Sequence, residues 1–189
     1  MTRWRGALGV TLALAGLVGQ GGASAQTPAE MRQRASAGDV AAQNDLGLMY
    51  YNGEGVPQDY VEAVRWYRLA AEQGFAAAQL NLGVMYDRGR GVPQDYVEAV
   101  RWYRLAVDQG FAAAQYNLGF MYDRGRGVPL DYVEALKWVT LATARASSDR
   151  QESYAAARDA LAKLMTPAQI AAARTRAVEW QAAFDARRE

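Results

Sequence analysis

Few side chains in this sequence are suited to catalysis. Histidine and cysteine are absent from the 189 residues, which removes the commonest general base, a thiolate nucleophile and a cysteine zinc site. The serines open no Ser-x-x-Lys motif, and Lys137 and Lys163 are the two lysines of the chain. The segment Gly89-x-Gly91 is a fragment of a phosphate loop without the Lys that should follow. The chain is therefore predicted to be non-enzymatic and to hold no cofactor.

The carboxylates that recur at fixed spacing are better explained as helix caps. Asp95 and Glu98 are one turn apart at the start of a predicted helix, the arrangement of a capping box. A glycosidase pair would also need two carboxylates, but this spacing at a helix start favours capping. Each loop offers a single Asp, whereas a metal site of this kind needs clustered oxygen ligands, so no metal site is predicted.

The elements that position these side chains belong to a unit that occurs three times. Glycine recurs every 36 residues at Gly38, Gly74 and Gly110. The stretch Gly-Val-Pro-x-Asp-Tyr-Val-Glu-Ala occurs at 55–63, 91–99 and 127–135. Tryptophan follows the same spacing, at Trp66, Trp102 and Trp138. The repeats are therefore placed at 38–73, 74–109 and 110–145.

Each unit is predicted to form two helices. In the middle repeat, helix A covers about Ala76 to Tyr86, and a loop with two glycines and Pro93 ends it. Helix B begins at Asp95 and carries Trp102 on its apolar surface. One hairpin cannot bury its own apolar side, whereas stacked hairpins share a continuous core. The prediction is an all-α solenoid in which the three tryptophans are buried, rather than a ligand-stacking platform.

Helices are also predicted at both ends of the array. Thr27-Pro28-Ala29-Glu30 starts an N-terminal capping helix within 26–37, and C-terminal capping helices fill 146–189. The last helix has apolar residues at a three-four spacing, which suits a cap on the third repeat. The alternative use of that stripe is a dimer seam, whereas the cap leaves a monomer. The stripe consists of Ile170, Ala173, Ala177, Trp180 and Phe184.

The first 25 residues have the pattern of an export signal. Arg3 and Arg5 precede an apolar run over 6–19, and Ala23-Ser24-Ala25 is the small-x-small pattern of a cleavage site. The run is shorter than the roughly 20 residues that span a bilayer. We therefore expect cleavage after Ala25 and a mature protein, without a membrane segment, in the periplasm or outside the cell. The 21 basic and 20 acidic residues balance, which argues against nucleic acid as a partner.

The repeat resembles the Sel1-like family, which is related to tetratricopeptide arrays. The resemblance rests on the residues from Ala78 to Tyr86, on Gly89-x-Gly91-Val92-Pro93-x-Asp95-Tyr96, and on Ala99-x-x-Trp102-Tyr103-x-x-Ala106. It implies a right-handed superhelix whose concave groove binds a protein or peptide, in envelope signalling or host interaction. Some cysteine-rich relatives bind or hydrolyse β-lactams, and this alternative is weakened here by the absence of cysteine.

Positions that differ between repeats on helix A are the candidate partner-binding residues. They lie opposite the core stripe and are mostly apolar or aromatic, which suits a peptide with apolar anchors. The alternative is that they pack between adjacent A helices. Tyr116 and Phe120 are the strongest candidates of the set Leu48, Tyr51, Leu80, Val84, Tyr116 and Phe120. A second candidate is a basic patch for an acidic partner, unless its arginines pair locally with Asp87 and Asp123; the patch is Arg88, Arg90, Arg124 and Arg126.

Overall fold

The computed structural model describes residues 27–188, and these are entirely helical apart from short connections. The export signal predicted for 1–25 lies outside the described residues. The helices in this part of the chain are α1 (Pro28–Ser36), α2 (Val40–Asn52), α3 (Tyr60–Glu72), α4 (Ala76–Arg88), α5 (Tyr96–Val107), α6 (Ala112–Arg124), α7 (Tyr132–Arg145), α8 (Ser148–Ala162) and α9 (Pro167–Ala186). The pairs α2/α3, α4/α5 and α6/α7 are three hairpins, stacked as a solenoid.

Helix B of each hairpin starts at the predicted aspartate, although the capping box is incomplete. Asp95 accepts hydrogen bonds from the backbone amides of Val97 at 2.9 Å and Glu98 at 3.0 Å. Glu98 does not reach back to the cap and instead forms an ion pair with Arg101 at 3.0 Å. The predicted return contact is wrong because a guanidinium one turn along the helix competes for the same carboxylate. At Thr27, by contrast, the full box is present.

The three tryptophans are buried, as predicted. Trp102 packs in a cluster with Tyr67 of α3 and Leu82 of α4, so its ring joins two successive repeats. Trp138 belongs to the equivalent cluster one repeat later, with Tyr103 and Leu118. In the second and third repeats, the tryptophan ring is therefore part of the apolar packing between helix B and the hairpin before it.

Glycine in the A-to-B loop brings the backbones of neighbouring repeats into contact. Gly91 has φ +69°, and a Cβ added there would lie 2.1 Å from the backbone oxygen of Tyr60 on α3. Gly127 repeats this contact, at 2.2 Å from the backbone oxygen of Tyr96. The positive φ and the close approach both exclude a side chain at these positions.

A second repeated contact is a hydrogen bond from an arginine to a tyrosine hydroxyl, and it indicates the structural role of α1. Arg68 of α3 donates to the Tyr86 hydroxyl of α4 at 2.9 Å, and Arg104 donates to Tyr122 at 3.1 Å. Arg32 of α1 makes the same bond to Tyr50 at 2.8 Å. Arg32, Arg68 and Arg104 are spaced by 36 residues, so α1 stands in the place of a helix B before the first repeat.

The two C-terminal helices cover different sides of the third repeat. Tyr154 of α8 stacks on Tyr116 of α6, with ring centroids 4.2 Å apart. Trp180 of α9 meets Trp138 of α7 edge-on at 5.4 Å. Phe184 is buried against Gly110, the glycine that precedes α6. Trp180 and Phe184 thus cover the third repeat, the use as a cap that was the first of the two predicted for this stripe.

Candidate partner-binding surface

The A-helix face comprises the sides of α2, α4 and α6 that lie opposite the core stripe. The sequence places Leu80 and Val84 of α4 on this face as accessible anchors, yet their side chains are only 1% and 2% exposed. Both belong to a core cluster with Ala113 and Ala114 of α6. The prediction of accessibility is therefore wrong here, because the middle A helix has a neighbour on each side that covers it.

The outer A helices also bury two of the predicted anchors. Tyr116 is covered by the stacked ring of Tyr154, and burial raises its pKa to about 12. Tyr51 is buried beside Tyr60, with ring centroids 5.3 Å apart. The first contact comes from a terminal helix and the second from the first residue of α3, and repeat spacing alone does not reveal either contact.

Leu48 and Phe120 remain half-buried, one at each end of the A-helix face. The Phe120 ring has the Arg124 guanidinium carbon 5.3 Å and that of Arg126 5.7 Å from its centroid. Beside it, a shallow recess is bounded by Phe120, Asp123 and, on α8, Leu161. The accessible Phe120 ring can pack against an apolar side chain of a partner, and the two cations beside the ring can attract an acidic group next to that side chain.

Two of the four arginines of the predicted basic patch, Arg90 and Arg126, interact with the preceding repeat. Arg90 donates to the Tyr51 hydroxyl and lies 5.3 Å from the centre of the Tyr60 ring. Arg126 holds the equivalent place over Tyr96, at 5.1 Å. These two side chains thus join one repeat to the next, in addition to any role toward a partner.

Arg88 and Arg124 occupy the equivalent positions at the ends of α4 and α6. Arg124 forms an ion pair with Asp123 at 3.1 Å, the local pairing foreseen as the alternative to a basic patch, and its side chain remains 38% exposed. Arg88 is half-buried. Arg124 is therefore the most accessible cation beside Phe120 in the described chain.

Asp87, near the end of α4, is buried, and its Oδ1 has no hydrogen-bond partner. Burial raises its pKa, and the nearby charges of Arg126 and Arg88 oppose this shift. Burial raises the pKa of Asp123 as well, against the effect of Arg124. Asp87 and Asp123 therefore lie along this face as carboxylates whose burial disfavours their charged form, and each lies near an arginine.

Hydrogen bonds between glutamine side chains of neighbouring repeats form a ladder that the sequence analysis does not predict. Gln73 donates to the Gln43 side chain at 2.7 Å, and Gln109 donates to that of Gln79 at 2.8 Å. The ladder ends at Gln115, whose buried amide has no partner. The 36-residue recurrence of these glutamines was the available signal, and it reflects contacts between repeats rather than a binding site.

The described residues, 27–188, were also compared with the requirements of a metal site and of a membrane span. No group of three or more acidic side chains there is arranged to hold a metal ion. None of the helices in the same region combines the length and the apolar character needed to cross a membrane.

Comparison with known proteins agrees with the hairpin stack. The Sel1 repeat matches residues 40–75, 76–111 and 112–147, which together are more than half of the chain. The chain belongs to the Sel1 repeat family. Sel1 repeat proteins typically act as scaffolds for protein interactions. Among curated proteins, none matches this chain.

Two solved structures are similar to this Sel1 repeat protein. One is a protective antigen present in uropathogenic Escherichia coli strains that displays an SLR fold: it is 47% identical, with a TM-score of 0.61, and the match covers 63% of this chain and 26% of that one. The other is a Sel1 repeat protein from Oxalobacter formigenes: it is 38% identical, with a TM-score of 0.59, and the match covers 66% of this chain and 52% of that one. The chain thus spans about a quarter and about half of these two relatives.

Proposed function

We propose that this chain is an exported, non-catalytic scaffold that binds a protein or peptide partner on its A-helix face. The observation that carries the proposal is the half-buried Phe120 ring between Arg124 and Arg126, beside the recess that Leu161 borders. An apolar side chain of the partner packs on the Phe120 ring, while an acidic neighbour meets Arg124. Leu48 supplies a second apolar contact at the other end of the face.

Export and a role in envelope signalling or host interaction are part of the same proposal. The basic, apolar and small-residue pattern of 1–25 supports export. One similar protein is a protective antigen of uropathogenic E. coli, and this is consistent with a role at the cell envelope or outside the cell. N-terminal sequencing of the exported protein is expected to begin at Gln26, and a sequence beginning at Met1 contradicts the proposal.

Site-specific photo-cross-linking tests the binding face. A photoreactive phenylalanine analogue replaces Phe120 or Leu48 in the protein expressed in its own cells, and it replaces Val178 as the control. Val178 is 69% exposed on α9, away from the A-helix face. We expect the same cross-linked partner from positions 120 and 48 and none from 178. Adducts at 178 alone, or at none of the three positions, contradict the proposed face.

The non-catalytic part of the proposal has a separate test. The purified protein is expected to leave a chromogenic β-lactam intact. If the protein hydrolyses the β-lactam, and a single substitution on the A-helix face abolishes this hydrolysis, the non-catalytic part of the proposal is contradicted.

A further inference from the structure

The outer side of helix B carries exposed apolar residues in the first two repeats. We define the B-helix face as this side of α3 and α5, and its most exposed apolar residues are Val61, Leu69, Val97 and Leu105. At α3 the face borders a cavity of about 340 Å³ lined by Val61, Leu69 and, from the next loop, Val92. Exposed apolar residues that recur on one face, rather than singly, indicate a contact surface.

The third repeat shows what covers such a face. Leu141 of α7 is the counterpart of Leu69 and Leu105, and it is 5% exposed where they are each 39% exposed. The Lys137 side chain is 13% exposed, whereas Arg65, its counterpart on α3, is 62% exposed. The difference comes from α9, which lies along α7 in this repeat alone.

The contacts between α9 and α7 define the chemistry of a fitting helix. Arg176 donates to Glu134 at 2.9 Å and lies 4.0 Å from Asp131, at the start of α7. Trp180 meets Trp138 in the middle of α7, so α9 runs in the same direction as α7. Ala173 and Ala177 are buried between the two helices and allow their close approach.

The same acceptors are present in the first two repeats. Asp59 and Glu62 precede α3 and lie in its first turn, and Asp95 and Glu98 occupy these places at α5. Glu62 and Glu98 have side chains 34% and 36% exposed and are accessible to a further cation. The charge pattern and the apolar residues that α9 uses on α7 are thus repeated on α3 and α5 without a covering helix.

We propose that the B-helix face of repeats one and two binds an amphipathic α-helix of a partner protein that resembles α9. Such a helix presents alanines toward α3 or α5, an arginine or lysine toward Glu62 or Glu98, and an aromatic residue toward Leu69 or Leu105. This surface is separate from the A-helix face, so the scaffold has a second binding side.

A labelled peptide with the sequence of residues 167–186 is the probe, and its fluorescence anisotropy is measured against the full chain. We expect saturable binding that weakens at least tenfold when Leu69→Glu and Leu105→Glu are combined. The matched control is Leu130→Glu, which changes another exposed leucine, 57% exposed and outside the face. This control is expected to bind like the unmodified protein. Circular dichroism confirms that the variants are folded.

Charge reversal makes the test specific for the acceptor carboxylates. The peptide with Arg176→Glu is expected to bind at least tenfold more weakly, and Glu62→Lys combined with Glu98→Lys in the protein is expected to restore its binding. The proposal is overturned if the probe does not bind. It is also overturned if binding is insensitive to the leucine changes, because the peptide then exchanges with the chain's own α9.

Discussion

At the scale of single residues, carboxylates with shifted pKa values contribute to the dependence of stability on pH. Asp87 has its pKa raised by burial, so the fold penalises its charged form. The folded state therefore holds this proton more tightly than the unfolded state. Protonated Asp87 therefore contributes to the free energy of unfolding. This contribution is fully present below the ordinary pKa of aspartate, and it is lost as the pH rises through the raised pKa of Asp87. Asp39 behaves in the opposite way, because the Ala42 amide and Arg34 lower its pKa.

We expect Asp87→Asn and Asp39→Asn to have opposite pH dependences. Asp87→Asn removes a desolvated charge, so its free energy of unfolding should increase relative to the parent as pH rises from about 3 to about 7. Asp39→Asn removes an ion pair, so its loss relative to the parent should be present at pH 7 and disappear in acid. Urea unfolding at several pH values measures both. Parallel curves for the two variants would contradict the assigned shifts.

At the scale of the elements, the loop glycines fix how one hairpin sits on the next. Gly127 combines a positive φ with a backbone oxygen 2.2 Å from where a Cβ would lie. Gly38 also has a positive φ, but a Cβ there would meet nothing within 4 Å. The two positions therefore separate backbone strain from steric contact between repeats.

Gly38→Ala should cost about 1–2 kcal/mol of unfolding free energy, the usual penalty of a left-handed backbone for a residue with a Cβ. Gly127→Ala should cost about 1–3 kcal/mol more, because the added methyl group must push two backbones apart. Chemical denaturation of the two variants measures the difference. Equal losses would show that the loop yields without disturbing the stack.

Helices and their order were predictable from the sequence, whereas the accessibility of the A-helix face was not. Spacing of 36 residues, loop glycines and capping aspartates are local signals, and they placed the hairpins and the buried tryptophans. Accessibility depends on packing between elements distant in sequence. Tyr116 is covered by Tyr154 of α8, a helix outside the repeats, and Val84 is covered because α4 has neighbours on both sides. Leu48 and Phe120, at the ends of the face, are only half-buried.

At the scale of the whole molecule, the repeats behave as interchangeable units because each makes the same contacts with its neighbours. The Arg-Tyr bond, the Gly-backbone contact and the tryptophan cluster recur from one interface to the next. Stability in such an array is approximately a sum over units and interfaces.

Deletion of residues 76–111 should accordingly leave a shorter folded protein. It removes one complete unit and lets Arg68 of α3 meet Tyr122 in place of Tyr86. The expected result is a helical, cooperatively melting protein with a lower melting temperature, because one interface has been lost. Deletion of residues 76–93 is the control, since it removes α4 and its loop and breaks the alternation of helices. Circular dichroism and thermal melting distinguish the two, and comparable cooperative melting would contradict interchangeability.

The arginine-tyrosine hydrogen bonds also bear on whether molecules of this protein associate end to end. Identical units that stack head to tail do not close into a ring. Such stacking can therefore continue from one molecule to the next and form a filament. One period beyond Arg104 the chain has Thr140, and one period beyond Tyr122 it has Arg158. The bond cannot be extended past the third unit, and α8, whose Tyr154 stacks on Tyr116 of α6, lies across that end. The molecule thereby limits its own length, and concentrated samples should resist fibre growth.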